Sequence, residues 1–503
     1  MKMGQLAGML FFAATATFAQ SIAIPWSGHA HDPQHSNISR VASQRAAKIL
    51  WSTTVDQQRQ YNDGELFIHY GAPLITRQNT ILLPVKVGAD DTFQVEARAA
   101  DGTLKWVGPS DYSLPPHNWV PSYGIALTPK NRVYYPGAGG SVYFRDSPDA
   151  PSGSGGQLVF YGADEYAINP ATFNQNVKIN TPITSDRYGN IFFGFIVLGS
   201  NPANLVSGIA RIGEDGSGTW IFARAAANDS SIHHVVYGCA PALSNDQKTM
   251  YVAVSYGSYS GGYLLALDSR TLAPLARVRL RDSLNPGNDA VLSDDGSAAP
   301  TIGPDGDVYY GVLENYLDSN HLRGYLLHFD ATLSQSKIPG SFGWDDTASI
   351  VPASAVPSYN GSSSYLVLTK YNNYVEHGGD GVSKLAILDP NDTQTNPING
   401  ATVMKEVITI VSPTPDDQGS GYPNAVREWC INSAVVDVTT KSALASCEDG
   451  HLYRWDFTTN TLTDNVELTN GLGEAYTPTV VGVDGIVYSI ANGTLFVTGP
   501  ANE

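Results

Sequence analysis

Short hydrophobic runs, separated by a tight polar turn, recur along this chain. The pattern is clearest near the C-terminus, in Ala475-Tyr-Thr-Pro-Thr-Val-Val-Gly-Val-Asp-Gly-Ile-Val-Tyr-Ser489. Val480 and Val481 precede the turn and Val487 and Tyr488 follow it; β-branched and aromatic residues suit strands. Asp484-Gly485 predicts a two-residue hairpin with positive φ at both turn positions.

The same strand–turn–strand unit recurs. It appears as Gly71-Ala-Pro-Leu-Ile with Thr80-Ile-Leu-Leu, and as Gly124-Ile-Ala-Leu-Thr with Arg132-Val-Tyr-Tyr135. It returns at Thr181-Pro-Ile-Thr-Ser, Ala240-Pro-Ala-Leu-Ser, Ala299-Pro-Thr-Ile-Gly, Ser354-Ala-Val-Pro-Ser and Asn432-Ser-Ala-Val-Val. The opening stretch is the eighth. Each unit supplies strands A, B and C and usually D, at a spacing of about 45 to 78 residues, close to a four-stranded propeller blade. The eighth unit stops after strand C. Ile49-Leu-Trp-Ser-Thr-Thr-Val55 reads as a lone strand that can supply the missing D and close the ring, which removes open sheet edges. The expected fold is all-β: a single eight-bladed β-propeller of four-stranded antiparallel blades, closed by an N-terminal strand. Seven blades is the runner-up. A β-sandwich array leaves the lone strand unexplained. The expected layout is a signal peptide at 1–19, a polar lead-in at 20–47 and the propeller at 48–503, with blade 8 shared between about 48–56 and 474–499.

Composition agrees. Among 503 residues, Gly (49), Pro (30) and Tyr (27) are plentiful and charged residues are only 15%, as suits a turn-rich β protein. Net charge is −18, which argues against nucleic acid or an anionic membrane surface as partner. Lys2, the apolar run Leu6 to Phe12 and Thr17-Phe18-Ala19 read as a cleavable export signal, so the expected location is secreted, periplasmic or extracellular. No other stretch would span a membrane. A monomer is expected. Of the three cysteines, Cys430 and Cys447 lie on neighbouring strands, about four residues out of opposition, too far for an unstrained bridge. Asn37, Asn228, Asn360, Asn391 and Asn492 head N-x-S/T sequons.

The units resemble the PQQ-like (quinoprotein-type) propeller repeat, with its A-P-x-[IV]…D-G-x-[VI]-Y…L-x-A-[LI]-D…W pattern, over roughly residues 26 to 499. The repeat-ending Trp that docks between blades matches at Trp51, Trp106 and Trp220 but not in most later units. The resemblance implies either a quinone-dependent dehydrogenase or a non-enzymatic binding or assembly propeller. For the dehydrogenases it implies a quinone on the axis over a Trp, beside calcium, with a vicinal Cys pair in many members. This chain has no adjacent cysteines. By position, Trp119 or Trp429 would be the floor, Glu428 and Asn432 calcium ligands, and Arg427 a quinone contact.

In a propeller, A–B and C–D loops share one face, B–C and D–A loops the other. The long segments expected as B–C are Arg145–Gln157, Gly199–Asn204, Leu313–Leu322 and Tyr371–Ser383, with Ser412–Glu428 as D–A. That side is the expected working face. Residues just before each strand A should ring the axis there: His69-Tyr70, His117-Asn118-Trp119, His233-His234, Asp294-Asp295, Arg427-Glu428-Trp429 and Glu474-Ala475-Tyr476. Of these, His69, His117, Trp119, His234, Glu428, Trp429 and Tyr476 form the candidate ligand-binding ring. Aromatic faces suit a flat or sugar-like ligand, and His and Glu suit acid–base work. The plainer reading is a ring of funnel-lining residues bonded to strand ends. His29, His31 and His35 have a metal-compatible spacing, against the plainer reading of a solvated segment. No G-x-S-x-G elbow supports serine hydrolysis. Asp246, Asp268, Asp330, Asp389 and Asp456 fit turn caps. The sequence favours a secreted module binding a small molecule or protein through the long-loop face and axial pocket. The alternative is a PQQ- and calcium-dependent oxidoreductase acting on an alcohol or sugar, with a hydrolase or lyase third.

Overall fold

The structure is a computed structural model that describes residues 25–62, 65–417, 421–429, 431–471 and 479–501. The expected signal at 1–19, Cys430, Glu474 and Tyr476 lie outside the described residues.

Eight antiparallel sheets form an eight-bladed propeller. Middle strands such as Ile81–Lys86 and Tyr365–Tyr371 are buried at every position, because each blade is covered by a neighbour on both sides. Outer strands alternate, as in Leu104–Ser113, where every second residue faces water. Inner strands are mostly two residues long, as at Leu74–Ile75 and Thr301–Ile302.

The ring closes through the lone N-terminal strand. Lys48–Thr54 pairs antiparallel with Thr494–Gly499 and becomes the outer strand of blade 8. Trp51 then reaches blade 1, where its Nε1 donates to Ala100 O at 2.8 Å. Trp106 makes the equivalent bond from blade 1 to Pro148 O in blade 2, at 2.7 Å.

The hairpin expectation at Asp484-Gly485 needs correcting. Only the glycine is left-handed (φ 83°), and Gly485 N–H donates to Gly482 O. That is the longer loop that ends in a left-handed glycine, and Asp484 caps it by accepting the Ile486 N–H. The aspartates expected as turn caps are caps: Asp268 and Asp456, for example, each accept two backbone N–H groups of the following turn.

Arg145–Gln157 is not a B–C loop. Ser141–Asp146 is strand C of blade 2 and Gly155–Val159 is strand D, so the stretch between them faces the other side. The remaining long segments are B–C or D–A, as expected. Blade 2 passes to blade 3 through two short helices, Ala163–Ile168 and Pro170–Asn176.

The polar N-terminal segment is not solvated. It threads the central channel and bonds to one inner strand after another. Trp26 exchanges two backbone bonds with Ile75 of blade 1, and Leu127 of blade 2 donates to Ser27 O. Leu243, Ile302, Ile350 and Val436, from blades 4 to 7, donate to Pro33, Gln34, Ser36 and Asn37 carbonyls in turn. Trp26, His35 and Asn37 are buried. Its histidines look polar in sequence because the channel they fill is polar. His35 Nδ1 meets Pro300 O at 2.7 Å, and His29 Nε2 meets Thr347 Oγ1 at 3.3 Å. His29 and His35 pack edge to face, whereas His31 turns to Trp26 and Asp32, so the three do not converge as a metal site. With Asn37 fully buried, its sequon offers no accessible amide.

Candidate functional site

Four of the connections that lead into inner strands meet on the axis. His69, before blade 1, reaches Asp295 O of blade 5 through Nε2 at 2.8 Å and Asn432 Oδ1 of blade 7 through Nδ1 at 3.3 Å. A carbonyl only accepts, so Nε2 carries the proton. Asp345 of blade 6 stands 3.9 Å from the same ring; it accepts from Ser297 N–H and Oγ, and Lys370 Nζ lies 3.5 Å away. His69, Asp345, Lys370 and Asn432 are all buried. Beside them, Asp346 accepts from Thr369 Oγ1 and Lys370 N–H, and burial pushes its carboxyl up to about 7. A paired buried charge is far cheaper than a lone one, and the Asp345–Lys370 pair follows that rule.

Asp345, Asp346 and Lys370 were not expected from the sequence. The available signal was Lys370 itself, a charge inside the fully buried, largely apolar strand Tyr365–Tyr371.

The expected ring is brought together only in part. Trp119 belongs to the axial group: its indole lies parallel to Phe67 (4.5 Å, 9°) and near-parallel to His69 (5.3 Å, 29°). Asp295 accepts from Asn118 Nδ2 and from Trp119 N–H. His234 sits farther out, with Nε2 2.9 Å from Asp294 Oδ2. His117 is held in its own loop, its Nδ1 2.7 Å from Pro115 O. Glu428 is half-buried and accepts from Asn372 Nδ2 at 3.3 Å. Trp429 is wholly buried in the hydrophobic core and packs edge-on against Tyr453, so it offers no face to the channel. Tyr476 lies outside the described residues.

The positions nominated for a quinone do not converge. Asn432 is on the axis beside His69, Glu428 turns to Asn372, and Arg427 is exposed and paired with Asp416 at 3.2 Å. The indole of Trp119 already stacks on the protein's own rings. These residues do not fit a quinone–calcium centre as assigned. Among the described residues, no cluster of three or more His, Cys, Asp or Glu side chains is arranged to hold a metal.

Open space lies off the axis on the face of the B–C and D–A loops. A recess of about 710 Å³ lies between blades 3 and 4, lined by the 196–207 loop, Arg224 and the 230–234 connection. Among the described residues, exposed large apolar side chains in the connections between blade strands are Tyr61, Ile168, Leu198, Tyr259 and Tyr316 on this face, against Tyr188 on the other.

The chain is similar in fold to solved quinoprotein-type dehydrogenase propellers and to a further solved structure. A europium-containing methanol dehydrogenase superposes with a TM-score of 0.56 at 9% identity, over 93% of this chain and 89% of that one. The quinohemoprotein alcohol dehydrogenase from Comamonas testosteroni gives 0.54 at 11%, over 96% and 82%. Saccharomyces cerevisiae Sqt1 gives 0.51 at 12%, over 92% and 100%. No family model and no curated protein sequence matches the chain.

Proposed function

We propose that this PQQ-like β-propeller is an exported binding module that holds a small molecule or a protein partner on its B–C and D–A loop face. The observation that carries the reading is where accessible surface remains. His69 bridges the axis and the N-terminal segment threads the channel, while the loop face presents Tyr259, Tyr316 and the 710 Å³ recess. Exposed aromatic and aliphatic side chains gathered on one face are the usual mark of a contact surface. Export is supported by the character of residues 1–19; a mature N-terminus at Gln20, read by mass spectrometry, tests it.

The second reading, a quinone-dependent oxidoreductase, draws on the fold likeness to the methanol and alcohol dehydrogenases. One experiment separates the two. The purified protein is titrated with PQQ and calcium chloride, its absorption followed, and dye reduction assayed with short alcohols and sugars. The binding-module reading expects no saturable quinone band and no turnover; a band with turnover overturns it. In parallel, glycan and protein arrays are screened with the wild type and with Tyr259→Ala/Tyr316→Ala. A ligand lost in the double variant supports the loop face.

A further inference from the structure

The recess between blades 3 and 4 has an unusual lining for this protein. The chain carries a net charge of −18, yet among the described residues no Asp or Glu lines the recess. Two acids border the lining, Asp229 beside Ser230 and Asp294 behind His234, and both are already engaged. Asp229 accepts the Tyr256 and Tyr263 hydroxyls and the Ser231 N–H, and Asp294 takes His234 Nε2 and the Tyr237 N–H. Arg224 and His233, by contrast, are exposed in the lining, and neither side chain has an ion-pair or hydrogen-bond partner among the described residues. In the same lining, Ile196, Val197, Leu198 and Val206 leave apolar surface in contact with water.

The wall is pre-formed. Asn201 accepts the Leu205 N–H and donates to Leu205 O, and Ser207 Oγ accepts the Val197 N–H. A loop pinned in this way loses little freedom when a ligand arrives. The volume is that of an ordinary small-molecule site.

We infer that this recess binds an amphipathic organic anion, a carboxylate carried on an aliphatic or aromatic body. The inference rests on the loop-face reading above and gives it a ligand class. The guanidinium of Arg224 pairs with the carboxylate through charge-assisted hydrogen bonds, and His233 adds a second polar contact. The apolar wall takes the body of the ligand. A single guanidinium suits one carboxylate better than a polyphosphate. Among the described residues, no Phe, Tyr or Trp lines the recess to stack a nucleobase.

The test is titration calorimetry on the full-length mature protein with octanoate, phenylacetate, their methyl esters, octylamine and inorganic phosphate. One or both carboxylates should saturate a single site. The methyl esters should bind about tenfold more weakly or worse, since the charge is what Arg224 recognises. Arg224→Ala should weaken the carboxylate by about tenfold or more, with Arg224→Lys losing less. Val206→Asp, which puts a carboxylate into the lining, should abolish binding while thermal unfolding stays near wild type. Failure of both carboxylates to saturate, equal binding of the esters, or indifference to Arg224→Ala would each overturn the inference. If no carboxylate binds but a Tyr259- and Tyr316-dependent ligand is still captured, this inference falls and the loop-face reading stands. If carboxylate binding is Arg224-dependent while Tyr259→Ala/Tyr316→Ala changes no array ligand, the recess stands and the broader face does not.

Discussion

His69 of blade 1 donates its Nε2 proton to the backbone oxygen of Asp295 in blade 5, 2.8 Å away and 226 residues on in the chain. The bond joins opposite sides of the ring at its centre. His69→Ala leaves that buried carbonyl, Asn432 and Asp345 short of a partner. We expect a loss of about 2–4 kcal/mol in urea unfolding, since an orphaned buried polar group costs more than a hydrogen bond is worth. His69→Gln, which restores a donor, should recover part of it. A loss below about 0.5 kcal/mol would mean that the axis is held by other contacts.

The threaded histidines make stability sensitive to acid. Burial lowers His35 to about 4, and burial followed by the charge of His35 lowers His29 well below its ordinary value. A depressed folded value means that the unfolded chain takes up protons first. The contribution of both groups is complete above about 6.5 and is lost as the pH falls toward 4. For His35 this amounts to roughly 3 kcal/mol. Asp32 faces them; burial raises it, but bonds from His31 and Ser36 outweigh that and hold it low, so it titrates below this window. Chemical denaturation at pH 7.5, 5.5 and 4.5 should show the wild type falling more steeply than His29→Gln/His35→Gln. Parallel curves would refute the assignment.

Asp346 acts with the opposite sign. Its carboxyl is raised to about 7 by burial, so the folded state holds that proton more tightly than the unfolded chain. Its contribution is present below about 4 and is lost as the pH rises through 7, as it is for Glu314, also raised to about 7 by burial. Asp346→Asn keeps an acceptor for Thr369 and Lys370 N–H. The stability difference between variant and wild type should therefore grow in the variant's favour by roughly 4 kcal/mol from pH 4 to pH 8. A difference that does not change with pH would place the titrating group elsewhere.

Trp51 ties the closing blade to blade 1. Trp51→Phe keeps most of the packing but removes the Nε1 donor to Ala100 O. It should cost about 1 kcal/mol, and Trp51→Ala about 2–3 kcal/mol because the indole is only partly buried. Differential scanning calorimetry of both variants checks the order; Phe and Ala substitutions of equal effect would deny the hydrogen bond a role.

The blades were legible because strands covered on both faces are written as unbroken apolar runs, such as Tyr-Leu-Val-Leu at 365–368, and their turns as Asp-Gly. Closure was legible because Ile49 to Thr54 had no hairpin partner nearby. Strand C of blade 2 was not. Ser141–Asp146 ends in Arg145 and Asp146, whose side chains make local contacts at the blade end, so the run resembled loop. The threaded segment was misjudged for a related reason: polar residues read as solvated unless their equally polar partners, hundreds of positions away, are known. Trp429 shows the reverse, an aromatic at a ring position whose bulk the core claimed. The acid-free lining around Arg224 was invisible because its three pieces are joined only by the packing of two blades.

The strand at Lys48–Thr54 leaves the ribosome more than 400 residues before its partner at Thr494–Gly499. Until that partner emerges, the nascent chain carries an unmatched β-edge and a buried segment with no finished ring around it. A nonsense codon just before Thr494 would therefore leave blade 8 without a mate for its outer strand, and quality control would meet an open, aggregation-prone arc in place of a closed ring.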